Sequence, residues 1–266
     1  MPELPEVETI VRALAPRLTG ARIAAASFPC ARVLRGPAPQ VIGRVIDDIR
    51  RRGKFVLFQL DDGTRLEVHL GMTGALLLNR DPGPYTRATL SFDEQCLQYD
   101  DIRQFGRIEH CRGQSGRSGV LGPEPLALDA QTWREHTAGR RGKLKLLLLN
   151  QSYLAGLGNI YCDEALFRAR LHPDRTMNNL QSAERQRLLQ SVQAVLSEAI
   201  ACHGSSISDY VDPDGRPGSF QERHRVYGRQ GHPCPRCGAA IVRILSAQRG
   251  THLCPICQPR SAGLRY

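Results

Sequence analysis

Two Cys-X2-Cys knuckles, Cys234-Pro-Arg-Cys237 and Cys254-Pro-Ile-Cys257, are separated by 16 residues. Four thiolates at this spacing suit one tetrahedral zinc ion held at the two ends of a β-hairpin. With all four positions filled by protein sulfur, no site is left for an activated water, so the expected Zn2+ is structural. Disulfides are the poorer reading, since nothing else in the chain argues for an oxidising compartment. Cys30, Cys96, Cys111, Cys162 and Cys202 are scattered and read as small buried thiols.

A second concentration of chemistry lies in Met1-Pro2-Glu3. A small residue after Met1 permits its removal, which would turn Pro2 into a secondary amine, partly neutral near pH 7. Such a nitrogen can attack an electrophilic carbon and form an iminium, whereas behind Met1 it is an amide and inert. Glu3 is adjacent and Glu6 lies one helical turn on; a carboxyl group beside an amine nucleophile can donate or accept protons. Met-Pro starts and acidic first turns also occur without any catalytic role. Farther on, Arg249 sits on the return side of the cysteine hairpin, where it reads equally as a phosphate clamp or as a solvated cation. Asn159 follows two glycines at a helix start, as a plain cap or as a phosphate ligand.

The surrounding composition narrows the partner. Lys and Arg number 36 against 26 Asp and Glu, a net charge of +10 and a pI near 9.5. That surplus suits a polyanion, because each neutralised phosphate releases a counterion. Only Lys54, Lys143 and Lys145 are lysines, so each marks a place where a compact ammonium could be needed in place of a planar fork. No run of about 18 apolar residues predicts a membrane span. The acidic start MPELPEVETIV lacks the cations and apolar stretch of a signal peptide, which leads to the expectation of a cytoplasmic protein.

These residues need elements to hold them. A length of 266 residues suits one large domain or two. Pro5 can open a helix, with Val7, Ile10, Val11 and Leu14 at i, i+3, i+4 and i+7, and Pro16 is expected to end it. From Ala21 to Cys111 short alternating runs separated by Gly and Asp-Gly predict an antiparallel sandwich or barrel. Leu121 to Gln131 reads as a linker. Beyond it the pattern is helical: KLKLLLLNQ, the turn AGLGN, IYCDEALFRA with Asn159 as its cap, a break at His172 to Asp174, and a long helix after Ser182. Leu188, Leu189, Val192, Val195, Leu196 and Ile200 share one face of that helix. Gly204 to Phe220 is too rich in Gly, Ser, Asp and Pro for regular structure and is a loop, functional or plain.

MPELPEVET, Lys54 in RRGKF, HLGMTG (residues 69–74), DIRQFG (101–106), LGPEPL, GLGNIYCDEALF, LHPDR, DGRPGSF, VYGR and AQRGTHLCPIC stand in this order along nearly the whole chain. Together they resemble the bacterial formamidopyrimidine-DNA glycosylase family (Fpg/MutM). The resemblance implies an α+β protein. An N-terminal helix with an antiparallel β-sandwich (1–121) is followed by a helix–two-turn–helix domain (132–222) with a lesion-capping loop (204–220), and then a β-hairpin zinc finger (223–266). It implies a base-excision repair enzyme that removes 8-oxoguanine and formamidopyrimidines from damaged double-stranded DNA, with AP lyase activity. One structural zinc and no organic cofactor are expected, in a monomeric cytoplasmic protein associated with the nucleoid through DNA.

Carried over residue by residue, the resemblance makes Pro2 the Schiff-base nucleophile and Glu3 the proton donor, with Glu6 in support. Lys54 and Arg249 become proton donors for β- and δ-elimination that also contact phosphate. His69, Asn159, Tyr227 and Lys145 contact the DNA, while Met72, Arg103 and Phe105 fill the vacated stack and face the orphaned base. Gln104 replaces a cation usual in the family, and Arg141 replaces a Lys, leaving open which of Arg141, Lys143 and Lys145 meets DNA. Two rivals remain at this point. One is an endonuclease VIII-like enzyme for oxidised pyrimidines, disfavoured by PELPE and the long loop; the other is an inactive zinc-finger binder of damaged DNA.

Overall fold

The computed structural model describes residues 1–260 apart from Gln114 and Ser208. Residues 261–266, included in the zinc-finger segment above, lie outside the described residues. The chain divides into two compact units: Met1–Val120 with Ala199–Gln221, and Leu121–Glu198 with Glu222 onward.

The first unit opens with helix α1 (Leu4–Leu18). Pro5 occupies the first turn, where its missing N–H is an orphan anyway. Val7, Ile10, Leu14 and Leu18 form its fully buried stripe. Pro16 does not end the helix as expected. It removes one backbone donor in the last turn, yet Thr19 N–H still reaches Ala15 O at 3.1 Å, and Leu18 has a core to enter. Among the described residues nine strands follow: β1 (Ala25–Ser27), β2 (Leu34–Arg35), β3 (Ile46–Arg52), β4 (Phe55–Leu60), β5 (Thr64–His69), β6 (Gly74–Leu78), β7 (Thr86–Ser91), β8 (Cys96–Asp101) and β9 (Arg107–Arg112). They form two sheets, ordered β1-β7-β8-β6 and β2-β9-β5-β4-β3. All pairings are antiparallel except the short parallel pair β2–β9. Phe58, Leu66, Val68 and Ile108 from one sheet meet Leu76, Leu90, Leu97 and Tyr99 from the other in a single core. Period-2 alternation produces this sandwich, because every second residue of each strand turns inward.

The second unit carries α2 (Ala130–Thr137), α3 (Leu144–Leu149), α4 (Asn159–Arg168), α5 (Ser182–Ala201), and the hairpin β10 (Val242–Ser246) and β11 (Arg249–Leu253). The last three residues of α5 count with the first unit. All six apolar residues expected on one face of α5 are buried. Helix α2 begins inside the expected linker: Asp129 caps it, accepting from Thr132 N–H at 2.7 Å, and Trp133 anchors it in the interior. A second core gathers Phe167, Val226, Cys234, Ile241 and Cys254, so α4 forms the floor on which the cysteine hairpin rests.

Candidate functional site

In the first unit the chemistry begins at the N-terminus of α1. Glu3 is the N-cap of a capping box: its side chain accepts from Glu6 N–H, and Glu3 N–H donates to Glu6 Oε2 at 2.8 Å. Pro2, Glu3 and Glu6 are all buried. The helix dipole favours both carboxylates here. Glu6 reaches further. Its Oε1 accepts from Ser205 N–H at 2.7 Å and its main-chain oxygen from Tyr210 Oη at 3.3 Å. A Cβ at Gly204 would press on the Glu6 carboxylate, and Gly204 holds φ +81°, a conformation that side chains disfavour. The base of the 204–220 segment is thereby fastened to the residues beside Pro2.

Lys54 is buried in the turn between β3 and β4. His69 ends β5, opposite Phe55 and Arg107, with its ring 4.9 Å from that of Phe55. Gly71 N–H donates to His69 Nδ1 at 3.1 Å, which leaves the proton on Nε2. Desolvation, together with the positive charges of Lys54, Arg117 and Arg107, pushes the imidazole pKa down to about 4. His69 is therefore a neutral hydrogen-bond donor at pH 7.

The expected void-filling trio is brought together. Met72 and Phe105 are both exposed, and the Arg103 guanidinium lies over the Phe105 ring at 4.6 Å, within cation–π range. Their two loops, 70–74 and 101–106, pack backbone to backbone. At Gly71, which holds φ +63°, a Cβ would strike Phe105 and Gly106; at Gly106 it would strike the Tyr99 hydroxyl. Gln104 adopts φ +54° and its Oε1 accepts from the Cys30 thiol at 3.7 Å, while its carbonyl accepts from Arg107 Nη1 at 3.0 Å.

In the second unit, the four cysteine sulfurs lie within 4.8 Å of one another, with Cys234–Cys257 at 3.9 Å and Cys237–Cys254 at 3.4 Å. Sulfurs tetrahedrally placed about 2.3 Å from one zinc stand about 3.8 Å apart, so the cluster fits the ion and is far too open for disulfides. Arg236 N–H points at Cys234 Sγ and Cys257 N–H at Cys254 Sγ, both at 3.4 Å, the dipole arrangement thiolates require.

The hairpin turns at Ala247 and Gln248, both with φ above +50°, and not at the glycine that follows Arg249. Gly250 instead lies in β11, where a Cβ would meet the Arg243 guanidinium. Arg249 stands exposed just after the turn. Its neighbour Gly250 is pinned: Gly250 O accepts from Asn159 Nδ2 at 3.0 Å. Asn159 is the first residue of α4 and Gly158 is its N-cap, so the expected capping role fails because the amide is turned to the hairpin. Tyr227 is held by its backbone. The buried Glu164 carboxylate accepts N–H bonds from Arg225, Val226 and Tyr227 at 2.8 to 3.0 Å; burial nevertheless raises the Glu164 pKa.

Lys145, expected at a DNA contact, is instead buried. Its side chain is 0% exposed, and its ammonium donates to Asp163 Oδ1 at 2.6 Å and Thr251 Oγ1 at 2.7 Å. A DNA phosphate cannot reach it in this conformation. Lys143, with a side chain 55% exposed, is the accessible lysine of RGKLK. Asp101, Asp163 and Glu164 lie inside the motifs above, but spacing gives no signal for them, because Thr73, Lys145 and Val226 stand 28, 18 and 62 residues away.

Three family models match the chain: the formamidopyrimidine-DNA glycosylase N-terminal domain over residues 1–108, the H2TH domain of the same enzyme over 121–211, and a zinc finger found in FPG and IleRS over 231–260. A formamidopyrimidine-DNA glycosylase of Solibacter usitatus is 48% identical over 98% of this chain and 100% of its own. The crystal structure of the MutM (FPG) protein from Thermus thermophilus superposes with TM-score 0.90 at 44% identity, covering 98% of this chain and 100% of that one. MutM in complex with carbocyclic 8-oxo-G containing DNA superposes with TM-score 0.88 at 36% identity, covering 97% and 100%.

Proposed function

The chain belongs to the formamidopyrimidine-DNA glycosylase family, and we infer that it is the base-excision repair enzyme of that family, a DNA glycosylase and AP lyase for 8-oxoguanine and formamidopyrimidines. The damaged nucleotide is extruded from the duplex at a cost of ~2–3 kcal/mol in lost stacking and pairing. Met72, Arg103 and Phe105 occupy the gap and offset part of that cost. His69 donates a hydrogen bond to backbone phosphate from its Nε2–H, and Lys54, Asn159, Tyr227 and Arg249 supply further contacts.

Once Met1 is removed, the Pro2 nitrogen attacks C1′, the C1′–N bond breaks, and the base leaves with a proton. Glu3 acts on the sugar as general acid and base, opening the ring so that an iminium joins Pro2 to C1′. The iminium acidifies C2′; loss of that proton expels the 3′ phosphate, and a second elimination expels the 5′ phosphate. Lys54 and Arg249 serve as proton donors for the two leaving groups. Glu6 orients Glu3. Zinc, when bound by Cys234, Cys237, Cys254 and Cys257, stiffens the hairpin that carries Arg249.

The single observation that supports this reading is the buried Glu3–Glu6 capping box beside Pro2, fastened by Ser205 and Tyr210 to the segment that the family uses to cover the base. Borohydride trapping tests it. A covalent protein–DNA adduct is expected with 8-oxoguanine duplexes, and it should vanish in Pro2→Gly or when Met1 is retained. Tight binding without an adduct would support the inactive binder, and preferential excision of thymine glycol would support the pyrimidine enzyme. The protein is proposed to act as a cytoplasmic monomer; no helix among the described residues is long and apolar enough to cross a membrane.

A further inference from the structure

Asp101 closes strand β8 with 0% exposure, and it accepts from both of the loops that carry the void-filling side chains. Its Oδ1 accepts from the Thr73 hydroxyl at 2.6 Å. Its Oδ2 accepts from Gly106 N–H at 2.8 Å and from the Tyr99 hydroxyl at 3.1 Å. The Thr73 oxygen in turn accepts from Arg103 N–H at 3.1 Å. Thr73 adjoins Met72, and Gly106 adjoins Phe105. One buried carboxylate and one hydroxyl therefore link the backbone at all three side chains.

We propose that Asp101, acting through the Thr73 hydroxyl, is the positioning residue that fixes Met72 relative to Arg103 and Phe105, so that the three enter the vacated stack as one rigid unit. The proposal rests on the void-filling reading above. The donors to Asp101 are two hydroxyls and a backbone N–H, which set direction without competing for the charge of Arg103. The carboxylate provides three acceptor directions from two oxygens, and no other side chain of that size does so. Burial keeps water from replacing the Asp101 bonds to Tyr99 and Gly106, so losing either leaves a polar group unsatisfied. Tyr99 adds to the arrangement: burial and the Asp101 charge raise its pKa, so it remains a donor at every working pH. The glycines at 71 and 106 let the two loops touch through their backbones, and the Asp101–Thr73 link then sets their register.

The test uses two substrates. Excision from an 8-oxoguanine duplex requires extrusion of a stacked base, whereas cleavage at a preformed abasic site does not. In single-turnover assays Thr73→Val should lower the ratio of excision to abasic cleavage about tenfold, the scale of a small misplacement of positioned groups. Thr73→Ser, which keeps the hydroxyl, should stay within about twofold of the wild type. Asp101→Asn, of equal volume but with one acceptor turned into a donor, should shift the ratio in the same direction as Thr73→Val. Equal losses on both substrates, or a Thr73→Ser ratio as low as that of Thr73→Val, would overturn the proposal. Met72→Ala and Phe105→Ala separate void filling from positioning. If these leave the ratio unmoved, the void-filling reading fails and the positioning role falls with it. If they move it while Thr73→Val and Asp101→Asn do not, the positioning role alone is refuted.

Discussion

Lys145→Met removes the cation from a buried pair and leaves Asp163, whose side chain is 0% exposed, with the His252 N–H still donating at 2.8 Å. The same change leaves the Thr251 hydroxyl without its 2.7 Å ammonium partner. Breaking one side of a buried, hydrogen-bonded ion pair costs about 3–5 kcal/mol, against roughly 0.5 kcal/mol or less for replacing a solvated surface lysine. The single tryptophan, Trp133, is buried in the same unit, so urea unfolding followed by its fluorescence reports the loss directly. Lys145→Met with Asp163→Leu removes both charges, and most of the stability should return. DNA binding supplies the opposing measurement. A phosphate contact contributes about 0.9 to the slope of log affinity against log salt; Lys145→Met should leave that slope unchanged even where affinity falls. A stability loss under about 1 kcal/mol, combined with a slope reduced by about 0.9, would show that Lys145 meets phosphate and that the buried pair is not its role.

Three further outcomes follow from the site. Arg249→Ala should weaken binding to all duplexes and lower the salt slope by roughly one unit without changing lesion preference; a change confined to lesion discrimination would contradict the clamp. Cys237→Ser should release zinc, measured by a chromogenic chelator, and destabilise the hairpin, whereas retained metal with normal stability would count against the four-thiolate site. For His69, NMR titration should find the imidazole neutral down to about pH 4. Because the folded value lies below the unfolded value of about 6.5, the unfolded chain binds the proton first. The stability linked to His69 is then complete above about pH 6.5 and is lost as pH falls towards 4. A midpoint at or above the ordinary value would refute the desolvated, cation-flanked environment.

Periodicity located the stripe of α1, the apolar face of α5 and the alternating strands because burial selects side chains at the period of the element that holds them. The zinc hairpin was equally legible, since ligand spacing is local. Local rules failed where tertiary contacts outweighed them. Pro16 reads as a stop, yet Leu18 gains enough by burial to extend the helix beyond it. Asn159 has the type and place of a cap, but Gly250, 91 residues away in the chain, takes its amide. Lys145 looked available because its rarity among arginines can be counted, whereas Asp163 and Thr251 around it could not be foreseen from spacing. The 204–220 segment follows α5 in the chain, and only its hydrogen bonds to Glu6 reveal the partner at its base. The trio Met72, Arg103 and Phe105 was reached by resemblance; its Asp101 anchor joins residues 28 apart in the chain.

The three consecutive amides of Arg225, Val226 and Tyr227 form a concave nest of the kind that elsewhere captures phosphate. Here the Glu164 carboxyl group fills it from within. The nest is therefore closed to solutes, and anything Tyr227 extends towards an outside polyanion must come from its ring and hydroxyl. That backbone is rigidified before any ligand arrives, so docking at this point immobilises little more than a side chain.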